Sequence, residues 1–461
     1  MKLAEARLKD SPSLRSAVVA LADDPSPRVR FQAAFTLGVM DTPEAVAALA
    51  KLARRADNDS WTQTAILSSA SMCAGRLLET LAREKEVSLP MLRQLAALVG
   101  TSGGDAELGR ALALLGDVGK EPTPLQLALL DGIGQGLAAG SRSLAALWEK
   151  PPAGLAESVR KAKVLFEKAG EAALDEKRGP EQRAASVALL GRGPFAPLAA
   201  AAPNLLSPRS PPEVQLAAVR ALSAHPRPEV SALLLEAWPA AGPTLRREMT
   251  EALFARKERL VALVTALEKK QILALQIDPQ RLARLRNHAD QALRARAVKV
   301  LAGQVAPERG KVIEAYRAAL GLKPDVANGK AVFKKQCATC HRLEDVGVQV
   351  GADLLAALRN KSAEALLIDV LDPSREVDPR FLAYQVTTKR GQVLSGVIAA
   401  ETAASLTLKR GEGAEDTVLR TQIEAVESTG KSLMPEGLEA QITKQEMADL
   451  ITYLMKIGAG K

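Results

Sequence analysis

Aromatic side chains are scarce in this chain: they make up 3% of its 461 residues, although 47% of the residues are hydrophobic. Alanine and leucine supply most of the apolar content, which favours closely packed helices over a sheet-rich fold. No apolar run reaches the length of about 18 residues that a membrane-spanning helix needs. Residues 1–10 also lack the apolar core of a secretory signal peptide. The sequence therefore predicts a mainly helical chain without a membrane span, and its length predicts two or three domains.

Acidic residues are in the minority, with 53 Asp and Glu against 62 Lys and Arg and a net charge of +9. From residue 323 to the end the two signs nearly cancel, because 18 basic residues stand against 19 acidic ones. The whole positive excess therefore lies before residue 323. No basic run with interleaved aromatic side chains occurs there, and no nucleic-acid-binding motif is present. We expect a solvated basic face and no nucleic-acid partner.

Cysteine and histidine are also rare, with three of each, yet half of them fall in one pentapeptide. Residues 337–341 read Cys-Ala-Thr-Cys-His, and C-x-x-C-H is the attachment signal for c-type haem. Thiols separated by two residues can form thioether bonds with the two vinyl groups of one porphyrin, and the imidazole that follows can bind the iron. The motif therefore predicts one covalent haem c, with Cys337, Cys340 and His341 as binding residues and His341 as an iron ligand.

A structural zinc site, a thioredoxin-like redox pair and a chance match are the alternatives to haem attachment at this pentapeptide. A structural zinc ion needs four ligands, usually in two closely spaced pairs. The remaining candidates, Cys73, His225 and His288, stand alone in helical patterns far from the motif. A thioredoxin-like pair needs a βαβ context, whereas the flanks here have helical patterns. Haem attachment is therefore the preferred interpretation, with Cys73 expected to be buried and His225 to lie at the surface.

The flanks of the pentapeptide have the layout of a single-haem electron-transfer cytochrome. A helical pattern over residues 328–336 leads into the two cysteines, and a second helix, opened by a capping box, is predicted over 447–457. Gly329 would allow the two helices to approach closely where they cross. Phe333 and Tyr453 are expected to pack at that crossing.

Three methionines follow the histidine of the motif, and one of them is placed to act as a second iron ligand. Met434 precedes a proline in a loop, and we predict that its thioether binds the iron opposite His341. Met447 and Met455 lie on the helical pattern and are expected to fill the core. The alternative is that Met434 is an ordinary loop residue, which would leave the iron five-coordinate or bound by another group.

A run of short alternating segments separates the haem motif from the Met434 loop. β-branched and aromatic residues alternate with polar ones between residues 383 and 426, and glycine-containing turns divide them. This pattern predicts five antiparallel strands in a meander, which could close a small barrel. We expect this β insertion, about 381–428, to shield one edge of the haem, to form a docking face, or to fill space in the packing.

The first ~310 residues repeat a helical pattern. Residues 24–38 read Asp-Pro-Ser-Pro-Arg-Val-Arg-Phe-Gln-Ala-Ala-Phe-Thr-Leu-Gly, and similar stretches end at Leu190, Leu222 and Leu253. The pattern resembles HEAT-type repeats, in which stacked helix pairs bury apolar faces that a single pair cannot bury. The glycine-rich stretch 100–179 fits poorly, and we expect irregular helices there. A non-repetitive helical bundle is the alternative.

The predicted fold class is therefore mainly α: a HEAT-like α-solenoid followed by an α-helical cytochrome c domain that carries a small antiparallel β insertion. The predicted domains are the repeats at 1–310, a linker at 311–322, and the haem domain at 323–461. No catalytic constellation is found in the repeats, and solenoids commonly present concave surfaces to partner proteins.

The haem domain resembles the Pirellula/Verrucomicrobium-type (planctomycete-type) haem-binding domain over about residues 320–457. The resemblance rests on several motifs that occur in order, at 329–333, 337–341, 371–375, 388–391, 432–438 and 449–454. It implies HEAT-like repeats ahead of the haem domain, and often a propeller resembling a membrane-bound or sugar dehydrogenase ahead of the repeats. No propeller precedes the repeats here, so we expect the sequence to lack its natural N-terminal part.

One residue departs from the pattern of that family. The family usually has Gly-Pro-Asp-Leu after the haem motif, whereas this chain has Gly-Ala-Asp-Leu at 351–354. In c-type cytochromes that proline's carbonyl often accepts a hydrogen bond from the proximal histidine and fixes the ring. Ala352 keeps a carbonyl, so we expect the bond to persist on a less rigid backbone.

The leading hypothesis is an exported, periplasmic or otherwise extracytoplasmic, single-haem cytochrome that passes one electron at a time. Its partner would be a redox protein or a dehydrogenase domain, and the chain itself is not expected to be the enzyme. One alternative is a haem peroxidase or gas sensor with an open axial position. Another is a repeat scaffold that binds a protein partner, with the haem as a minor feature.

Overall fold

The computed structural model of the protein describes residues 2–56, 59–83, 88–102, 104–116, 123–302, 307–359 and 361–459. The chain divides into two compact units, Met1–Ala201 and Ala202–Lys461. The first consists of helices. The second holds further helices, a five-stranded sheet and the haem motif. This confirms the predicted class of a helical array followed by a helical domain with a small antiparallel sheet.

Helices of the first unit start at the positions that capping chemistry favours. The side chain of Thr42, for example, accepts a hydrogen bond from the backbone N–H of Ala45, and proline follows it at the first helical position. The helices are α1 Lys2–Glu5, α2 Pro12–Ala20, α3 Pro27–Leu37, α4 Pro43–Arg55, α5 Ser60–Ser69, α6 Ala74–Ala82, α7 Leu89–Ser102, α8 Asp105–Gly116, α9 Pro124–Ala139, α10 Leu144–Glu149, α11 Ala156–Leu174 and α12 Pro180–Leu190.

Many helices in this unit pack against the helix two places along, as α3 does on α5, α4 on α6, α6 on α8 and α7 on α9. Such stacking of helix pairs is the arrangement of an α-solenoid. The expectation of irregular helices over 100–179 was wrong for α9, which is a regular helix of 16 residues. Its glycines serve close packing instead: a Cβ added at Gly132 would lie 2.7 Å from the Cβ of Ala96 on α7.

In the second unit the same stacking continues before the haem motif, with α14 on α16, α15 on α17 and α17 on α19. Helix α13 crosses the boundary between the units. These helices are α13 Phe195–Leu205, α14 Pro212–Ala224, α15 Glu229–Ala237, α16 Pro243–Phe254, α17 Lys257–Glu268, α18 Pro279–Arg286, α19 Gln291–Ala302 and α20 Pro307–Tyr316.

The stretch predicted as a linker, 311–322, is largely helical: it contains the end of α20 and a 3₁₀ helix over Arg317–Gly321. It is not a solvated spacer, because Ile313 and Ala319 are buried in the same apolar core as the helices around the haem motif. The division of the sequence into repeats and haem domain near residue 310 stays a prediction.

The C-terminal helices are α21 Val326–Gln336, α22 Leu354–Ala357, α23 Ala363–Leu371 and α24 Lys444–Ala459. The predicted capping box of α24 is present, since Thr443 and Glu446 exchange backbone-to-side-chain bonds of 2.8 and 3.2 Å. Helices α21 and α24 cross at Gly329, where an added Cβ would lie 2.9 Å from the Cβ of Tyr453. The rings of Phe333 and Tyr453 pack there with centroids 5.9 Å apart, as predicted.

A buried carboxylate ties the same two helices together. Asp449 on α24 accepts hydrogen bonds from the backbone N–H of Asp325 at 2.8 Å and from the Asn328 amide at 2.7 Å. Both donors belong to the start of α21, where unpaired N–H groups favour a negative charge. Although burial opposes ionisation, the bonds from Asp325, Asn328 and Gln445 lower the pKa of Asp449. The crossing is therefore fixed by shape at Gly329 and by charge at Asp449.

The predicted meander forms one antiparallel sheet with strands β1 Leu382–Thr388, β2 Val393–Glu401, β3 Ser405–Lys409, β4 Glu415–Leu419 and β5 Ile423–Ser432. Its order is β4-β3-β2-β1-β5, so β4 and β5 are the outer strands and the sheet does not close into the barrel that the sequence allowed. The inward side chains form a separate apolar core that includes Leu382, Val386 and Leu408.

Two buried arginines join this sheet to the helices before it. The guanidinium of Arg246 on α16 donates to the hydroxyl of Tyr384 on β1 at 3.0 Å and to the carbonyl of Trp238. Arg420 donates to the carbonyl of Pro208 at 2.6 Å and pairs with Glu401 at 3.1 Å. Burying a cationic group costs free energy unless its donors are hydrogen-bonded. These contacts therefore favour one position of the sheet against the helices of the second unit.

None of the helices in the described part of the chain has the length and apolar content needed to cross a bilayer.

We predict that Gly329→Ala destabilises the C-terminal helices, because its methyl group would collide with the backbone of Asp449. Overpacking of this kind costs about 1–3 kcal/mol, which chemical denaturation followed by circular dichroism would detect. Gly310→Ala is the matched control, since an added Cβ on helix α20 meets no atom within 4 Å. It should leave stability unchanged or raise it slightly. Equal stability of both variants would contradict the close crossing.

Tyr384→Phe should destabilise the second unit, because it leaves the Arg246 guanidinium with an unpaired donor in a buried site. The expected loss is about 1–3 kcal/mol in the free energy of unfolding. Tyr453→Phe is the control, since the Tyr453 hydroxyl contacts Glu344 at 3.2 Å, and the exposed Glu344 carboxylate keeps its ion pair with Lys330 when that bond is lost. A loss at Tyr384 no larger than that at Tyr453 would show that the buried contact is not stabilising.

Candidate haem-binding site

The pentapeptide of the haem motif forms one tight turn directly after helix α21. Helix α21 ends at Gln336, and Cys337 is its C-cap. The N–H groups of Cys340 and His341 both donate to the carbonyl of Cys337, at 3.1 and 2.9 Å. The two thiols and the imidazole therefore belong to a single hydrogen-bonded turn, whose position is set by the helix that the crossing with α24 holds.

The chain then folds back over this turn and fixes it from behind. Val348 donates to the carbonyl of Ala338 at 3.1 Å, and Gly351 donates to the carbonyl of Cys340 at 2.8 Å. The return is possible because Gly347 has a φ of +92°, and an added Cβ there would lie 2.8 Å from the carbonyl oxygen of Ala338. The backbone of the turn is thus tied at several points.

The imidazole of His341 is oriented by its own surroundings. Its Nδ1 lies 3.3 Å from the carbonyl oxygen of Ala352, in agreement with the expectation that this residue keeps the bond despite the missing proline. An Nδ1–H that donates to this carbonyl leaves Nε2 as the free lone pair for a metal. Gly351 lies against the ring, since an added Cβ would be 2.9 Å from Nε2.

Burial controls the protonation of all three functional groups. It lowers the pKa of His341, with the Ala352 carbonyl opposing the shift, and so favours the neutral form of the imidazole, which is the form able to bind a metal. Burial together with the neighbouring Cys340 raises the pKa of Cys337 to about 12, and burial also raises the pKa of Cys340. Without haem, both cysteines are therefore neutral thiols at neutral pH.

Met434 lies in a bend immediately after strand β5. Its N–H donates to the side chain of Ser432 at 3.2 Å, and its half-buried side chain packs against the same apolar core as Cys337. Met447 is fully buried in that core, as expected, whereas the expectation for Met455 was wrong because this side chain is 39% exposed. Of the three methionines after the motif, Met434 alone lies in a loop.

The turn between strands β3 and β4 touches the haem motif, a contact that the sequence did not reveal. The N–H of Glu412 donates to the carbonyl of Thr339, between the two cysteines, at 2.7 Å. A Cβ added at Gly411 would lie 3.8 Å from the sulfur of Cys340. The sequence predicted the Gly-Glu-Gly turn, but it gave no sign of the residues that the turn contacts. The β insertion therefore contacts the haem-attachment turn.

The remaining cysteine and histidines take no part in this site. Cys73 is buried, as expected, and burial raises the pKa of its thiol. The expectation of a surface position for His225 was wrong: it is 5% exposed at the end of α14, where its carbonyl accepts a bond from Arg259. Across the described ranges, no three His, Cys, Asp or Glu side chains come together as a metal site. The zinc alternative thus has no further ligands among them.

Comparison with known families agrees with this geometry. Residues 326–458 match the family described as Cytochrome c, and residues 2–70 match the family described as HEAT repeats. A search of curated proteins finds no match to the chain. The protein thus carries HEAT repeats at its N-terminus and a cytochrome c domain near its C-terminus. A cytochrome c domain implies haem c and electron transfer to and from partner proteins.

Gly351→Ala should disturb the His341 ring, because the methyl group would overlap the imidazole. We expect a lower yield of haem-loaded protein and a shifted reduction potential, measured by absorbance and by redox titration. Gly321→Ala is the control, since an added Cβ there meets nothing within 4 Å. Wild-type yield and potential in Gly351→Ala would show that the ring does not depend on this glycine.

Proposed function

We propose that the C-terminal domain is a single-haem, planctomycete-type c cytochrome that transfers one electron at a time. The observation that carries the proposal is the oriented imidazole of His341, whose Nδ1 faces the Ala352 carbonyl at 3.3 Å within the turn that also holds both cysteines. This arrangement brings together two thiols that would attach a haem and one imidazole nitrogen that would bind its iron.

The residues present fit a covalent haem. Cys337 and Cys340 would form the two thioether bonds, His341 would bind the iron through Nε2, and Met434 would supply a second, sulfur ligand. Bound there, the haem supplies a one-electron iron couple, and a thioether ligand raises its reduction potential. The chain's own part is to hold the imidazole neutral and oriented and to present Met434 from a loop tied to the same apolar core.

Export and partnership with a dehydrogenase complete the proposal. Cytochrome c domains are usually extracytoplasmic, which supports a periplasmic or otherwise exported protein. The planctomycete-type motifs, including 371–375 and 432–438, support a dehydrogenase or another redox protein as electron donor. In the structure these two motifs are joined, because the N–H of Ser432 lies 3.3 Å from the hydroxyl of Ser374. Both motifs therefore belong to the Met434 loop and its support.

The HEAT repeats favour a second role beside electron transfer. Stacked helix pairs provide an extended surface suited to binding a protein, and Trp61 and Met72 are 75% and 70% exposed. We therefore propose that the repeats act as a scaffold for a protein partner.

Met434→Ala tests the six-coordinate assignment in haem-loaded protein. We expect loss of the weak near-infrared absorption of ferric haem bound by a thioether and a clear fall in reduction potential. Carbon monoxide should then bind the ferrous form without displacing a protein ligand. Met455→Ala is the control, because this methionine is exposed on α24.

An unchanged spectrum in Met434→Ala would contradict methionine ligation. Ready binding of carbon monoxide to the unaltered ferrous protein would then favour the alternative of a peroxidase or gas sensor with an open axial position. An unchanged spectrum in Met455→Ala is required for either conclusion.

A further inference from the structure

Helix α20 presents two side chains to the segment that follows the Met434 loop. Arg309 and Tyr316 lie seven residues apart on this helix, so they occupy the same face. Both reach the segment 438–442, which begins four residues after Met434. Ile313, between them, is buried in the core of the cytochrome c domain. The helix is therefore seated against the domain along two turns.

Arg309 makes a two-pronged ion pair with Glu439. Its two terminal nitrogens lie 2.6 and 3.0 Å from the two carboxylate oxygens, and one of them also donates to the carbonyl of Leu371. The side chains are only 13% and 21% exposed. Such bidentate, shielded pairs are stronger and more directional than pairs on an open surface.

Tyr316 holds the same segment through the backbone. Its hydroxyl lies 2.8 Å from the carbonyl oxygen of Glu439 and 2.7 Å from that of Ile442. These carbonyls belong to the short 3₁₀ turn that begins at Leu438 and to the residues just after it, and the Leu438 side chain is buried in the core. Helix α20 thus fixes the chain immediately after the methionine loop.

The other end of the loop is fixed as well. The N–H of Ser432 donates to Ser374 at 3.3 Å, and the N–H of Leu433 donates to the carbonyl of Phe381 at 3.1 Å. Met434 therefore lies between two anchored points that are only a few residues apart. With one end held by β5 and its neighbours, the freedom of the loop depends on the other end, which Arg309 and Tyr316 hold.

We propose that Arg309 and Tyr316 are positioning residues that clamp the methionine loop and set how firmly Met434 binds the iron. The inference rests on the proposed role of Met434 as a ligand. Loosening the clamp lets the loop move away, so a competing ligand displaces the thioether more easily. Helix α20, which ends about 20 residues before the haem motif, then controls the lability of the sixth ligand.

The test is a titration of ferric, haem-loaded protein with imidazole, because imidazole competes with Met434 for the iron. The apparent affinity for imidazole rises by the factor by which methionine binding weakens. For Arg309→Met we expect a rise of about tenfold, which corresponds to roughly 1.4 kcal/mol. Tyr316→Phe removes only the hydroxyl and should change the affinity in the same direction by a smaller factor.

Arg317→Met is the matched control, because Arg317 pairs instead with Glu314 and Glu364, and all three side chains are at least half exposed. It should leave imidazole affinity unchanged. The Glu439→Gln variant should change the affinity in the same direction by a smaller factor, because Arg309 keeps its bond to the carbonyl of Leu371. The double variant should resemble Arg309→Met, since the ion pair is already lost in that variant.

Hydrogen exchange gives a second readout that does not depend on the ligand. Arg309→Met should increase the rate of hydrogen exchange at the backbone amides of Met434 and Ile442 relative to Arg317→Met. If imidazole affinity is unchanged in Arg309→Met, the proposed positioning role is wrong. This holds whether hydrogen exchange is unchanged or faster in that variant.

Met434→Ala separates the two proposals. If it raises imidazole affinity strongly while Arg309→Met and Tyr316→Phe do not, the clamp is wrong and the ligand assignment stands. If Met434→Ala has no effect, the ligand assignment fails, and the positioning role fails with it.

Discussion

The close crossing of helices α21 and α24 is the contact on which the haem site depends. Helix α21 ends at the first cysteine of the motif, so any rotation or shift of this helix moves both thiols and the imidazole. The crossing is specified twice: Gly329 allows the backbones to meet, and Asp449 binds the N-terminus of α21. Because shape and charge agree on one arrangement, the crossing gives the attachment turn a defined place.

Around this crossing, the β insertion adds two sets of contacts. The β insertion reaches back to the haem motif through the turn at Glu412, which bonds to the carbonyl of Thr339. The same sheet is fixed to the preceding helices by Arg246 and Arg420. The helices that precede the haem motif in the second unit, the sheet and the cytochrome helices therefore belong to one packed unit.

Local chemistry made much of this structure predictable. The C-x-x-C-H motif, the capping box at Thr443 and the five strands each depend on neighbouring residues, and each lies where the pattern indicated. Even the crossing at Gly329 was predictable, because a glycine opposite aromatic residues on two amphipathic helices has few other uses. HEAT-type stacking followed in the same way from helical periodicity and proline-led helix starts.

What could not be predicted depends on contacts between distant residues. Arg309 and Glu439 are 130 positions apart, and Arg246 and Tyr384 are 138 apart; periodicity carries no information about such pairs. From the sequence alone, the glycines of α9 suggest an interrupted helix. In the fold they allow close packing against helix α7. The orientation of Met455 likewise depended on which face of α24 meets the crossing. The sequence shows which side chains can bond, whereas the folded structure is needed to show which residue each one contacts.

The most direct test of the account is mass spectrometry of a tryptic digest of the protein matured with its haem. Cleavage after Lys335 and Arg342 releases the heptapeptide 336–342, which contains both cysteines and the histidine. If haem is attached to both cysteines, this peptide carries the mass of one haem and neither thiol reacts with an alkylating reagent. Recovery of the same peptide without haem, and with both thiols alkylated, would contradict haem attachment.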